Sequence, residues 1–271
     1  MHPCLAGLHP TLHIAHRGGA ALAPENTMVA FRSAVAVHRT DMLELDVHAT
    51  RDGEVVVAHD PRLERCTDGT GAIAERTWAE LATLDAGWAF SPDAGVTHPF
   101  RGTGVRIPRL AEVLDAWPRL RLNVELKAAE AGAEERLAAV VRSAAAEHRV
   151  CIGSEHAELA ERLVRALPEA CHFFPGRALV GAVLHLRGQL AEAPAGPFEV
   201  LDMPLWLGDD RLVDRALLDR AAARGWWVNV WTIDDAAEME QLVADGVGGI
   251  MTDRPDVLRA VLDRRPAGAG G

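Results

Sequence analysis

His16-Arg17-Gly18-Gly19 follows the apolar run Leu12 to Ala15, and Glu44-Leu45-Asp46 lies inside a second run, Met42 to Val47. After the turn Thr50-Arg51-Asp52-Gly53 comes His59-Asp60. Two histidines, two carboxylates and an arginine at strand ends suit an anionic substrate handled with a metal. Successive strand side chains alternate faces, so Glu44 and Asp46 share one face while Leu43, Leu45 and Val47 share the other. Two carboxylates on one face repel unless a cation or a proton lies between them. Asn123, Glu125 and Lys127 repeat the pattern, with Val124 and Leu126 on the opposite face. A third carboxylate makes an all-oxygen donor set, which suits Mg²⁺ or Ca²⁺ rather than zinc. Imidazole titrates near neutral pH, so one of His16 and His59 can take a proton while the other supplies one. Arg17 offers phosphate a bidentate fork and Lys127 a point charge. Gly18 and Gly19 permit a close approach of backbone to ligand.

These residues need elements that bring them to one mouth. Strand-length apolar runs recur at Leu12–Ala15, Met42–Val47, Leu120–Leu126, Val150–Gly153, Cys171–Phe174, Val200–Met203, Trp226–Trp231 and Val247–Met251. Between most of them lie Ala/Leu/Arg/Glu stretches with helical spacing, such as Leu159, Leu163, Leu167 and Val213, Leu217, Ala221. Strand alternating with helix predicts a parallel sheet covered by helices, and this many strands predict a closed (β/α)8 TIM barrel of the α/β class. The Asp52-Gly53 turn ahead of Val55-Val56-Val57 signals a hairpin rather than a crossover helix. The Gly/Asp/Thr-rich stretch beyond it, with a helical piece near Thr77 to Leu84, predicts a small insertion after the second strand, at about 61–106. Thr27, Ser154 and Asp253 stand where helix N-caps belong, the last followed by Pro255 in the first turn.

The chain has 271 residues, and a single barrel runs to roughly 250. One domain over 1–263 is therefore expected, followed by a disordered Pro/Gly/Ala tail over 264–271. The net charge of −11 argues against nucleic acid or an anionic membrane as partner. It also means that an anionic substrate must be held by local cations or a metal. No run approaches the roughly 18 apolar residues of a membrane span, and the first residues lack a secretory signal. Cys4, Cys66, Cys151 and Cys171 show neither zinc spacing nor a disulfide framework, which points to reduced thiols and a cytoplasmic protein. Phe173, Phe174, Met203 and Trp206 are candidates for the pocket mouth. Trp226 and Trp227 alternate faces, which places one under a helix and the other inside the barrel.

In order along the chain stand His16-Arg17-Gly18, Ala23-Pro24-Glu25-Asn26-Thr27, Glu44-Leu45-Asp46-Val47, Thr50, Asp52-Gly53, His59-Asp60, Ile107-Pro108, Glu125-Leu126-Lys127, Trp231-Thr232 and Thr252-Asp253-Arg254-Pro255. This pattern resembles the glycerophosphodiester phosphodiesterase family from about residue 13 to residue 257. The resemblance implies a (β/α)8 barrel with an insertion after the second strand. It implies that Glu44, Asp46 and Glu125 bind a divalent metal, Mg²⁺ or Ca²⁺. It further implies His16 and His59 as the general acid/base pair, Arg17 and Lys127 as phosphate contacts, and Trp231 as an aromatic near the glycerol end. The implied reaction hydrolyses a small-molecule glycerophosphodiester to glycerol 3-phosphate and an alcohol. One segment departs from the pattern. Many members show Ser-Phe-Asp or Ser-Phe-Asn after the fourth strand, where this chain has Ser154-Glu155-His156.

The expected mechanism follows from these roles. The metal acts as Lewis acid and template, Arg17 and Lys127 stabilise charge building on phosphate, and the histidines exchange protons with nucleophile and leaving group. Three alternatives share the fold: a lipid phosphodiesterase acting on lysophospholipids or sphingomyelin, a Mg²⁺-dependent carbon–carbon lyase, and a non-catalytic binding barrel. An apolar rim at Trp78, Trp88 and Phe90 would favour the first. Paired histidines speak against the second, and an intact set of polar residues against the third.

Overall fold

In the computed structural model, residues 2–6, 11–127 and 130–264 are described. The strands are β1 (Leu12–Ala15), β2 (Met42–Ala49), β3 (Val55–Val57), β4 (Arg121–Leu126), β5 (Val150–Gly153), β6 (Cys171–His172), β7 (Val200–Pro204), β8 (Trp206–Leu207), β9 (Asp210–Arg211), β10 (Trp227–Trp231) and β11 (Gly249–Thr252). The helices are α1 (Met28–Ala36), α2 (Trp78–Leu81), α3 (Leu110–Ala116), α4 (Ala133–Ser143), α5 (Ala157–Ala166), α6 (Gly176–Leu186), α7 (Arg215–Ala223), α8 (Ala236–Asp245) and α9 (Pro255–Asp263).

Strand neighbours run β6-β5-β4-β2-β1-β11-β10-β7, all parallel. A parallel bridge between Phe173 and Val200 joins the two ends and closes the barrel. The expected (β/α)8 barrel is therefore present. β6 is shorter than the apolar run Cys171–Phe174 predicts. Pro175, which has no N–H to donate, follows at once, and the chain turns there into α6.

Alternation along the strands makes two cores. Leu43, Leu45, Val47, Val124 and Leu126 face outward and pack under helices α1, α3 and α4. Leu12, Ile14, Met42, Cys151, Cys171 and Met251 face inward, and Cys4 and Leu5 join them from the N-terminal turn. Trp227 belongs to this inner cluster, whereas Trp226 packs against Phe174 on the helix side, so the pair divides as alternation predicts. Burial pushes the Cys4 thiol up to about 12, and all four cysteines are free. Gly249 is required inside the barrel, because a Cβ there would stand 2.3 Å from Asn229 Oδ1.

The Asp-Gly turn forms as expected, with Gly53 at φ +93 and β3 antiparallel to β2 in the register Val47–Val57. The chain between β3 and α3 is the insertion. It has its own apolar cluster, in which Leu63, Ile73, Leu81, Ala86, Val105 and Ile107 gather on Val56. Its short helix α2 is closed by a capping box, Thr77 with Glu80. Arg264 follows α9 and reaches Glu240 at 2.9 Å, and the rest of the expected tail lies outside the described residues. No helix among the described residues is long and apolar enough to cross a membrane.

Candidate active site

At the C-terminal mouth of the barrel, where such folds place their chemistry, lies a cavity of about 420 Å³. His16, Arg17, Glu44, Asp46, His59, Glu125, Lys127 and Trp231 all line it, as do Phe173 and Phe174, whereas Met203, in the helix-side core, and Trp206, exposed and bonded to Glu238, do not.

His16 and Arg17 follow β1 in a tight 3-10 turn. Arg17 takes φ +51, a left-handed conformation uncommon outside glycine. Gly18 continues at φ +84 with its Cα pressed on Ala30 and Phe31 of α1, and Gly19 lies against Pro255. The glycine pair thus seats the turn on two helices, α1 and α9. The turn aims the Arg17 backbone N–H at Glu44 Oε2, 2.9 Å away. Glu44 Oε2 also stands 3.9 Å from His16 Nε2. The other imidazole nitrogen, Nδ1, is 2.7 Å from Asp253 Oδ1. Burial alone would lower the pKa of His16, but Glu44 and Asp253 outweigh it and hold it above the ordinary imidazole value.

Asp46 lies in register with Glu125 on adjacent strands. Lys127 Nζ sits between them, 2.9 Å from Glu125 Oε2 and 3.5 Å from Asp46 Oδ1. Asp46 Oδ2 accepts a 3.0 Å bond from Asn26 Nδ2 and lies 3.4 Å from Arg17 Nε. Burial raises Glu125 and pushes Glu44 up to about 8, with Asp46 adding to the effect on Glu44. Arg17 and Lys127 have pKa values above their ordinary ones, since these carboxylates outweigh the cost of burying each cation.

His59 arrives by the hairpin. Ala58 N–H bonds Asp46 C=O at 2.9 Å, and the next residue is level with the carboxylates. Its Nδ1 lies 2.7 Å from Asp60 Oδ1, and its carbonyl is 3.0 Å from His48 Nε2. Arg65, from the insertion, bonds Asp60 through Nε and Glu25 through both terminal nitrogens at 2.7 Å. Glu25 in turn accepts from Arg17 Nη1 at 3.1 Å. A chain of contacts thus runs from His59 through Asp60, Arg65 and Glu25 to Arg17. The Arg65 guanidinium draws Asp60 down to about 2.

Among the described residues no three His, Cys, Asp or Glu side chains stand together as a formed metal cluster. Glu44, Asp46 and Glu125 instead face Arg17 and Lys127. Their chemistry nonetheless fits a hard cation. All three supply carboxylate oxygens to one cavity, and the buried Glu44 would be held ionised by a divalent ion.

Some residues of the site were not assigned roles from sequence. Asp253 holds His16 and does not cap α9, whose N-cap is Arg254 with no side-chain cap bond. Asn26 and Glu25, just ahead of the helix cap Thr27, support Asp46 and Arg17. Asp202 forms the cavity floor, accepting from Asn123 at 2.7 Å and Asn229 at 2.8 Å, and burial pushes it up to about 6. The signal for Asp253 was present, since it directly follows the end of β11, where barrel sites form.

The family model for the glycerophosphoryl diester phosphodiesterase family matches residues 16–257. The chain belongs to this family. It is a phosphodiesterase of that class. A glycerophosphodiester phosphodiesterase from Caldanaerobacter subterraneus subsp. tengcongensis is 32% identical, over 92% of this chain and 96% of the relative. A lysophospholipase D GDPD1 from Rattus norvegicus is 31% identical, over 94% of this chain and 87% of the relative. Among solved structures, an Oleispira antarctica phosphodiesterase in complex with the product sn-glycerol-3-phosphate matches at TM-score 0.70 and 26% identity. That match covers 92% of this chain and 96% of the other. The phosphodiesterase domain of a Mycobacterium tuberculosis protein superposes at TM-score 0.83 and 22% identity, covering 94% and 99%, a likeness of fold.

Proposed function

We propose that the protein hydrolyses glycerophosphodiesters to glycerol 3-phosphate and an alcohol, with a divalent cation, Mg²⁺ or Ca²⁺, and with His16 and His59 as acid and base. The observation that carries this reading is the convergence of both histidines, three carboxylates and two cations on one cavity of the barrel mouth. Arg17 and Lys127 flank the carboxylates, where they would hold phosphate and stabilise the charge that builds on it. One imidazole takes the proton of the attacking hydroxyl, from water or the adjacent glycerol hydroxyl, as the new P–O bond forms. The other returns a proton to the alkoxide as the old P–O bond breaks. Where the glycerol hydroxyl attacks, water then opens the cyclic phosphate, with the two imidazoles exchanging roles, to give glycerol 3-phosphate. Asp253 and Asp60 each accept from one Nδ1, which fixes the ring so that Nε2 is the nitrogen free to exchange protons. Glu44, Asp46 and Glu125 would hold the cation. When bound, it supplies Lewis-acid polarisation of a phosphoryl oxygen. Trp231, whose side chain is partly exposed at the rim, is assigned to the glycerol end. The four free cysteines fit a reducing, cytoplasmic location.

The test is product analysis. Purified protein with glycerophosphocholine should release glycerol 3-phosphate and choline in the presence of Mg²⁺ or Ca²⁺, and release should stop in excess chelator. Full activity in chelator would remove the metal from the scheme. A second reading, action on lysophospholipids, is favoured by the lysophospholipase D relative. Of the expected apolar rim, Trp88 is exposed beneath Arg101, while Phe90 and Phe100 pack edge to face. Assay of lysophosphatidylcholine beside glycerophosphocholine separates the two.

A further inference from the structure

Strand β2 carries a third polar side chain beyond its two carboxylates. Side chains alternate along the strand, so Glu44, Asp46 and His48 share one face. Glu44 and Asp46 line the cavity, and His48 does not. His48 is buried, 3% exposed, and its imidazole reaches the hairpin instead. There Nε2 stands 3.0 Å from the carbonyl oxygen of His59. A carbonyl only accepts, so Nε2 carries the hydrogen and the imidazole donates. β3 ends at Val57, and Ala58 N–H makes one more bond, to Asp46 C=O. Beyond it, among the described residues, no backbone group of His59 or Asp60 bonds another backbone group. The His48 side chain therefore supplies the hold that the strand ladder no longer gives. The carbonyl it holds belongs to the peptide joining His59 to Asp60, and Asp60 is the carboxylate that accepts from His59 Nδ1 at 2.7 Å. Rotation of that peptide, through ψ of His59 and φ of Asp60, would swing the carboxylate away from the ring it orients.

We infer that His48 is a positioning residue for the hydrolysis: by donating Nε2–H to the His59 carbonyl it fixes the 59–60 peptide, and with it the direction in which His59 Nε2 meets the substrate. The inference rests on the proposed acid/base role of His59 and adds a residue to it. Two features make the role positional. His48 lies outside the cavity lining, so it does not touch substrate. What it bonds is backbone, so the hold persists whichever protonation state the His59 ring takes. Asp60 is gripped from the insertion by Arg65, and the peptide ahead of it is gripped from the barrel by His48. The rival role runs through Asp46, two residues earlier on the same face, and would act on cation binding instead of on His59.

The experiment follows release of glycerol 3-phosphate from glycerophosphocholine over a range of Mg²⁺ concentrations. It compares His48→Leu, His48→Asn, His48→Gln, His59→Ala and the double variant His48→Leu/His59→Ala. Leucine fills the space without a donor, asparagine has a donor but is one methylene too short, and glutamine can place an amide N–H where Nε2 stands. His48→Leu and His48→Asn should each lower kcat by about tenfold, inside the hundredfold that a misplacement of about 1 Å can cost. KM and the half-saturating Mg²⁺ concentration should stay as in the wild type, and His48→Gln should restore most of kcat. In the His59→Ala background, His48→Leu should lower kcat no further, because residues that act as a unit are not additive. Circular dichroism checks folding, and if one of the Leu and Asn variants fails to fold the other is compared with Gln. Wild-type kcat in His48→Leu or His48→Asn, no recovery in His48→Gln, or an equal further loss in the His59→Ala background would overturn the positioning role alone. A raised half-saturating Mg²⁺ concentration would also overturn it, since His48 would then act through Asp46. Wild-type kcat in His59→Ala would overturn the acid/base reading and this inference with it.

Discussion

His16 and His59 open onto one cavity but are carried by different parts of the molecule. His16 ends a central barrel strand and is held by Asp253, from the end of the neighbouring strand β11. His59 ends a hairpin and is held by Asp60, which Arg65 of the insertion clamps in turn. The first arm is part of the closed sheet. The second depends on a loop-rich segment with a small core of its own. The contrast teaches that the barrel fixes one of the two proposed proton-transfer groups directly, while the other is positioned by a segment with an apolar cluster of its own. The same insertion also steadies Arg17 through Glu25, so it links His59 to Arg17, the residue proposed to hold phosphate.

The largest effect should come from the histidines. His16→Ala and His59→Ala should each lower kcat by about a hundredfold or more. Neither should move the thermal midpoint by more than a few degrees, because both side chains line the cavity rather than the apolar core. Near-wild-type turnover in either variant would remove that residue from the acid/base pair and leave the two arms chemically unequal.

Beneath both arms, Asp202 offers a control that belongs to neither. Burial raises it from 3.8 to about 6, so the folded state holds its proton more tightly than the unfolded chain does. Its stabilising contribution is complete below about pH 4 and is lost as pH rises through 6, on the order of 3 kcal/mol in all. Asp202→Asn removes this dependence. Asn229 Oδ1 already accepts from Trp227, so Asn123 is the amide that must turn to meet the new side chain. Relative to wild type, the thermal midpoint of Asp202→Asn should rise by about 5 °C between pH 4 and pH 7. A constant difference across that range would mean that Asp202 is ionised in the folded protein.

The barrel was legible because its signal is periodic. Apolar runs separated by helical spacing recur along the chain, and alternation within Met42–Val47 and Leu120–Leu126 placed Glu44, Asp46, Glu125 and Lys127 on one face. The hairpin was legible from Asp52-Gly53. Groups that act across long sequence separations were not. Asp253 is 237 residues from His16, and local spacing cannot state that their strands are neighbours. Arg65 lies 40 residues from Glu25, in a stretch with no period to read.

The supports of the two histidines should separate in kinetics. Asp253→Asn leaves the imidazole in place but removes a charge that stabilises its protonated form. It should lower kcat by about tenfold, with KM little changed. Arg65→Ala releases Asp60 and Glu25 together, so it should lower kcat by a similar factor and raise KM as well, because Arg17 loses its brace. If both variants change kcat and KM in the same proportion, the arms are equivalent and the insertion has no separate role in holding phosphate.

The smallest effect probes the insertion alone. Thr77 Oγ1 accepts from Glu80 N–H at 3.3 Å, and Glu80 Oε2 accepts from Thr77 N–H at 2.7 Å, so Thr77→Ala undoes half of the capping box of α2. The loss is about 1 kcal/mol. It acts where Trp78 and Leu81 anchor the insertion on Val56, two residues before Ala58 and the His59 turn. Opening should therefore be local. Amide exchange should quicken through the insertion and the hairpin, while β1 and β11 keep their protection and the thermal midpoint falls by only about 2 °C. Equal acceleration in β1 and β11 would show that the insertion and barrel open as one unit, and the division between the two arms would fail at its base.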